Sequence, residues 1–505
     1  MPRFTLVPSS KPCFSSPSIR AHNRRRLIER NRVPHLLFLF LLCLAVAIAA
    51  PAQTFTTLTV FNNTTNSAQP NGPLVQGLDG NLYGTTVGQN TGTGSEFQNK
   101  GTVFKITPSG ALTTIYTFCS QALCADGGNP LAGLLLGTDG NFYGTTSFGT
   151  NRKNGAIFKI TPAGELTVLY RLCLRSACGD GIKVLSPLIQ GTDGNLYGAA
   201  STGGVAGHGT VFRLSPSGTL KILHAFCATD CADGAAPNGL IQASDGNLYG
   251  TTTSGGIGGG TVFSMTTAGT LTTLSDFCKP SCAGLYAPEA GLIQASDGDL
   301  YGTTFFGVPG SITNPGGVFK ISLTGALTTI YNFCAQANCA DGASPRGALI
   351  QGTDGNFYGT TTSSGTANGG TLFKLTSSAT LTVLHSFPDW RHDFPGVMQA
   401  TNGNFYGTAQ DNAQNHYGIL FREATGLSPF VETLPTSGKV GANVTILGSN
   451  LTGTTAVAFN GTPATFTVVS GTEITTTVPT GTTTGTVTVT AGAKTLSSNI
   501  AFQVR

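Results

Sequence analysis

The chain has 505 residues, 40 % of them apolar and 10 % charged, with 69 glycines and a formal net charge of +4. This length allows two or more domains, and a glycine-rich, charge-poor composition suits strands joined by tight turns rather than helices. An ordinary apolar share excludes a disordered chain.

The charge is unevenly placed. Residues 1–52 carry eight basic side chains against Glu29, so the remainder is net −3. No basic stripe is left for nucleic acid. The basic block precedes an apolar run from Leu36 to Ala50 and then Ala-Pro-Ala at Ala50–Ala52. That is the order of a signal peptide: n-region, h-region, small-residue cleavage site. The run is short for a membrane span, and the alternative is an uncleaved N-terminal anchor. Cys43 follows Leu42, not the small residue a lipid-anchor signal wants. The expectation for residues 1–52 is a signal peptide, giving a secreted or outer-surface chain with no membrane span after cleavage.

Beyond residue 53 a phrase of the form D-G-N-[LF]-Y-G recurs. Its first position falls at Asp79, Asp139, Asp193, Asp245, Asp297, Asp354 and, as a variant, Asn402. A period near fifty with strand-like content points to a β-propeller. Within the first unit, Pro73–Gln76 reads as a short strand and Asp79-Gly80 as a hairpin turn. Asn81–Thr86 reads as the returning strand, Gly101–Thr107 as a third and Leu112–Phe118 as a fourth. The third-strand phrase recurs through Gly418–Arg422, with apolar residues on both faces, as in sheets covered on both sides. The seventh unit lacks a fourth strand, and Phe55–Phe61 is an orphan strand ahead of the first unit. The economical solution is a seven-bladed propeller over residues 53–425, closed by its N-terminal strand; an open solenoid and a six-blade ring are the alternatives. Meander blades put the uniform hairpins on one face, and the variable second-to-third-strand loops with the loops between units on the other. Variable loops on a rigid scaffold are where binding resides.

Ten cysteines beyond the leader form five close pairs: Cys119 with Cys124, Cys173 with Cys178, Cys227 with Cys231, Cys278 with Cys282, and Cys334 with Cys339. Local pairing and a leader read as disulfides formed in an oxidising compartment. Zinc spacing overlaps these spacers, but each pair lacks a second pair nearby.

From Pro429 the repeat stops and a cysteine-free, Thr/Val-rich stretch begins. Its P-x-S-G opening (Pro435–Gly438), G-S-N-L (Gly448–Leu451) and F-N-G-x-P-A (Phe459–Ala464) phrases resemble an IPT/TIG domain over residues 429–505. The resemblance implies an immunoglobulin-like β-sandwich acting as spacer or interaction module at bacterial surfaces, without a catalytic residue. The repeats themselves, through D-G-N-[LF]-Y-G-T-T and G-T-V-F-K-I-T-P-S-G-x-L-T, resemble the Gloeo/Verruco (choice-of-anchor tandem repeat) family of secreted bacterial proteins over roughly residues 55–425. That resemblance implies fold and location, not chemistry.

Enzyme signatures are missing: there is no G-x-S-x-G elbow, H-E-x-x-H helix or P-loop. Five histidines remain outside the leader, and His224 and His385 take a fourth-strand position held elsewhere by Tyr116, Tyr170 and Tyr331. The hairpin Asp-Gly offers too few oxygens for calcium, so no metal or cofactor is expected. A second Asp-Gly follows four cysteine pairs, at Asp126, Asp180, Asp233 and Asp341. These carboxylates are acceptors for a ligand's hydroxyls or formers of their own turn. Six units carry Gln three residues before the hairpin, at Gln76, Gln190, Gln242, Gln294, Gln351 and Gln399, where the second unit has Leu136. These amides contact a ligand in a polar ring or bridge adjacent blades. The expected function is non-enzymatic binding of an extracellular glycan or protein. The alternative is an extracellular carbohydrate-active hydrolase or lyase, for which Glu96, Asp411 and His416 are the nearest candidates.

Overall fold

The structure, a computed structural model, describes residues 53–62, 68–88, 101–149, 155–174, 176–277, 284–307, 315–388, 396–410 and 417–505. The segment expected to be a signal peptide, residues 1–52, lies outside the described residues, as do Glu96, Asp411 and His416. The fifth expected disulfide, between Cys278 and Cys282, also lies outside them. No described helix is long and apolar enough to cross a membrane.

The protein is all-β, and among the described residues helix is limited to single 3-10 turns such as Ala122–Cys124 and Ala337–Cys339. Between residues 54 and 424 the described strands form seven four-stranded antiparallel sheets. Sheet 1 runs Val75–Gln76, Leu82–Thr86, Thr102–Ile106, Leu112–Thr117, each strand beside its neighbour in sequence. Sheets 2 to 6 repeat this order, with first strands at Leu135–Leu136, Ile189–Gln190, Ala235–Gln242, Ile293–Gln294 and Ile350–Gln351. In sheet 1 the first strand is two residues long rather than the expected four. The first strands of sheets 2, 3, 5 and 6 are likewise two residues long. Sheet 7 takes Val397–Gln399, Phe405–Ala409 and Ile419–Ala424, and its fourth strand is Thr54–Val60 from the start of the chain. Thr54 pairs with Ala424 and Val60 with Ile419, with a bulge between Thr57 and Thr59.

The repeated phrases become these strands for identifiable reasons. In the second strand Leu82–Thr86 every residue is buried, and in the third only Lys105 is partly exposed. A Cβ on Gly84 would lie 2.5 Å from Phe104 Cζ and 2.8 Å from Leu74 Cδ2, so the glycine of L-Y-G admits the third-strand phenylalanine. The two threonines that follow divide the work. Thr85 Oγ1 donates to Ala132 O in the next sheet at 3.0 Å, while Thr86 Oγ1 meets Thr102 Oγ1 within its own sheet at 2.7 Å. The buried hydroxyls of Thr85, Thr86 and Thr102 are thereby satisfied.

Apolar clusters join each sheet to the next. Tyr83 and Phe118 of sheet 1 pack with Leu134 and Phe142 of sheet 2, and the same arrangement recurs down the chain. The last joint returns to the first sheet: Leu74, Leu82 and Phe104 pack with Ala400, Tyr406 and Leu420 around Phe61. Thr408 Oγ1 donates to Gly72 O across it at 3.4 Å. At the equivalent of Ile106, Ile160, Leu214, Met265, Ile321 and Leu375, sheet 7 carries Glu423, only 1 % exposed.

The C-terminal residues form two further four-stranded sheets. One runs Glu432–Leu434, Asn443–Leu447, Glu473–Thr477, Phe466–Val468; the other runs Thr462–Pro463, Thr454–Phe459, Val487–Ala491, Lys494–Ser497. They share a core of Val431, Ile446, Leu451, Phe459, Ile474, Val487 and neighbours.

Candidate functional site

Each unit has two ends, and its chemistry differs between them. At the hairpin end the D-G-N phrase is a closed hydrogen-bond system. Asp79 Oδ1 accepts from the Asn81 N–H at 3.1 Å, and Oδ2 accepts from Asn81 Nδ2 at 2.7 Å and from the Tyr83 hydroxyl at 2.9 Å. Gly80 supplies the positive φ of the turn (78°). The same bonds recur at Asp139, Asp193, Asp245 and Asp354. Burial opposes ionisation of Asp139, but hydrogen bonds from Asn141 and Tyr143 outweigh it and hold the carboxyl below its ordinary range. Burial, then the neighbouring carboxylate, pushes the Tyr197 and Tyr301 hydroxyls up to about 12, so they stay donors.

The six glutamines clasp neighbouring sheets at this end. Gln190 Oε1 accepts from the Thr138 N–H at 2.9 Å, Gln242 from Thr192 at 2.9 Å, Gln294 from Ser244 at 2.8 Å, and Gln351 from Ser296 at 2.8 Å. Gln399 accepts from Thr353 and Gln76 from Thr401, both at 2.9 Å, the last bond joining sheet 1 to sheet 7. Each amide nitrogen also donates to the carbonyl of its own hairpin glycine, as Gln242 does to Gly246 at 2.8 Å. Leu136 leaves the joint between sheets 1 and 2 without this clasp, and there the C-terminal sheets dock. Thr472 Oγ1 donates to Leu78 O at 2.7 Å, and Leu434 packs on the cluster holding Leu78 and Leu136. Further contacts reach sheet 7, Thr401 Oγ1 to Ser449 Oγ at 3.0 Å, and sheet 3, Arg505 Nη1 to Thr192 Oγ1 at 2.9 Å.

The opposite end is built from loops. Disulfides join Cys119–Cys124, Cys173–Cys178, Cys227–Cys231 and Cys334–Cys339, with Cα atoms 3.8 to 4.0 Å apart. These are four of the five expected pairs; Cys278 and Cys282, the fifth, fall outside the described residues. Under each of the four lies the aspartate of the following Asp-Gly. Asp126 Oδ2 accepts from the Tyr116 hydroxyl at 2.8 Å and from the Ser120 N–H at 3.0 Å. Asp341 does the same with Tyr331 and Ala335, and Asp180 with Tyr170 and Leu174. Asp126, Asp180 and Asp341 are fully buried, so their carboxylates face their own loops. Asp233 meets His224 Nε2 at 2.7 Å and accepts from the Cys227 N–H at 3.0 Å, the histidine standing where other units place tyrosine. His385, in the fourth strand of sheet 6 (Leu381–Pro388), stacks on Phe55 with centroids 3.6 Å apart. Loops of adjacent sheets interlock: Gly204 N–H donates to Cys178 O, Gly256 to Cys231 O and Gly365 to Cys339 O, at 2.8 to 3.0 Å. Above this frame Leu123, Leu174, Val205 and Ile257 are exposed by half or more.

Inside the loop crown lies a cavity of about 520 Å³ where the first strands converge. Asn71, Leu131, Leu185, Glu289 and Arg346 line it, and each stands eight residues before a hairpin Asp. Unit 4, one residue shorter in this passage, contributes Gly239. Arg346 Nε and Glu289 Oε2 are 2.9 Å apart, and the guanidinium lies 4.7 Å over the Phe305 ring.

The sequence pattern described as Gloeobacter/Verrucomicrobia repeat matches residues 45–181, 184–421 and 258–466. The chain belongs to this repeat family. No curated protein matches it. Among solved structures, the extracellular domain of BT3049 from B. thetaiotaomicron is 12 % identical with a TM-score of 0.48, covering 88 % of this chain and 54 % of its own; this chain therefore spans about half of that one. The extracellular domain of BT4673 from the same organism is 10 % identical (TM-score 0.34, covering 89 % and 70 %). XC5397 from Xanthomonas campestris, described as a gluconolactonase, is 15 % identical (TM-score 0.37, covering 67 % and 92 %). At these scores the likenesses carry no argument.

Within this Gloeobacter/Verrucomicrobia repeat protein, motif reading found the side chains that recur and missed those that line the cavity. Glu289 and Arg346 belong to no recurring phrase, because the lining position changes character from unit to unit. Their signal was the constant offset from the hairpin, one place in the repeat holding Asn, Leu, Leu, Glu and Arg in turn.

Proposed function

We propose that this repeat protein is a secreted or outer-surface binding protein and performs no reaction. Its body, residues 53–425, is a seven-bladed β-propeller closed by the N-terminal strand, and residues 429–505 are an IPT/TIG-type immunoglobulin-like module. Residues 1–52 are its signal peptide. The seven sheets, the pairing of Thr54–Val60 with Ile419–Ala424 and the cluster joining sheet 7 to sheet 1 support the propeller reading. Four local disulfides support an oxidising compartment, and Cys278 with Cys282 would make a fifth. The ligand, a glycan or protein surface or a smaller molecule, is held at the loop end.

One observation carries the functional reading. The recurring polar side chains are spent inside the scaffold, whereas the residues that differ between units collect at the loop end and in its cavity. A glycan array and a protein-capture screen, run beside a polysaccharide-degradation assay, test it. Retained ligand without released product is expected; turnover of any extracellular polymer would overturn the reading.

A further inference from the structure

We infer that the cavity in the loop crown is a binding site for a small zwitterion with an apolar body, the chemical class of apolar amino acids and short apolar peptides. The inference deepens the binding reading above and rests on it. The cavity's volume, about 520 Å³, falls within the range of small-molecule sites, roughly 300–1,000 Å³. Its wall is two-sided. Consecutive units 2 and 3 present Leu131 and Leu185, backed by Pro187; consecutive units 5 and 6 present Glu289 and Arg346. The charged side chains remain partly open, at 26 % and 38 % exposure.

The charges select the head group. Arg346 lies over the Phe305 ring and beside Glu289, contacts that restrain a planar fork suited to a carboxylate. A simple anion placed there would also meet the Glu289 carboxylate, and a simple cation would meet the guanidinium. A ligand carrying an ammonium next to a carboxylate matches both, its ammonium on Glu289 and its carboxylate on Arg346. Its apolar remainder then lies against Leu131 and Leu185, removing apolar surface from water. No aromatic side chain lines the cavity among the described residues, so a sugar ring would have no stacking platform. At the far end the C-terminal sheets contact the hairpins of sheets 1, 3 and 7. Entry is from the loop end.

Calorimetric titration of the purified chain with leucyl-leucine tests the assignment. Saturable binding is expected, weakened at least tenfold when the dipeptide is N-acetylated or C-amidated, and at least tenfold by Arg346→Gln or by Leu185→Ser. Leu185 is 44 % exposed, so Leu185→Ser keeps the test valid if a melting curve shows Arg346→Gln to be unfolded. Absence of saturable binding, equal affinity for the doubly blocked dipeptide, or tighter binding of cellobiose would each overturn the assignment. A wild-type chain that captures another extracellular ligand but not the dipeptide overturns the cavity assignment alone. Polymer turnover overturns the reading beneath it.

Discussion

Glu423 is the residue at which this repeat breaks its own rule. Six sheets place Ile, Leu or Met there; sheet 7 buries a carboxyl, and among the described residues neither oxygen finds a hydrogen-bond partner. Burial pushes its pKa up to about 7, and that of Glu432 likewise. The sign follows from proton binding. Above its ordinary value the carboxyl has released its proton in the unfolded chain but keeps it in the folded one, so folding loses stability as pH rises from about 4.5 through about 7. Asp139, Asp193, Asp245, Asp297 and Asp354 run the other way. Their lowered pKa values favour folding above the ordinary carboxyl range, a benefit lost as pH falls through the shifted values. Stability is therefore expected to peak in mildly acidic solution. Glu423→Leu is expected to stabilise the protein at pH 8 by about 2 kcal/mol and much less at pH 5, as read from urea unfolding at both values. Asp126→Ala strips the Tyr116 hydroxyl and Ser120 N–H of their acceptor. It should loosen residues 119–127 by about 1–3 kcal/mol, seen as faster amide exchange there with the distant sheets unchanged.

At the scale of elements, the recurring glutamine serves as a clasp between sheets. Gln76→Leu removes the acceptor of the buried Thr401 N–H at the joint between sheets 1 and 7. An expected cost of about 1–3 kcal/mol follows from an unmet buried donor, measurable as a lower denaturant midpoint at unchanged slope. Most of this architecture was legible in the chain. Hairpins, second and third strands, and the orphan segment before the first unit announced themselves because each copy solves the same local packing problem: Gly84 admits Phe104, and Asp79 fixes Asn81 and Tyr83. The glutamines stood open between ligand contact and bridging, since an amide's partner in the next sheet lies about fifty residues away in sequence. The cavity was illegible for the same reason. Asn71 and Arg346 belong to one wall only after the intervening sheets have packed, and no local pattern encodes that convergence.

For the whole molecule, the strand Thr54–Val60 closes the series. Removing it would bare the edge of Ile419–Ala424 and strip Phe55 from the cluster that holds Phe387 and Phe421. Such an edge invites pairing with other chains. Deletion of residues 53–61 should broaden the unfolding transition and raise light scattering. A sharp transition and a clear solution would contradict closure by this strand.

Seven similar hairpins share one end of the repeats, and the C-terminal sheets, tethered to the seventh through residues 425–431, rest on those of sheets 1, 3 and 7. Thr472 sits at Leu78, beside the joint where the amide is missing. Residues 425–431 confine these sheets to the neighbourhood of sheet 7, and within that reach the leucine at position 136 gives Leu434 an apolar seat where a glutamine would have presented an amide.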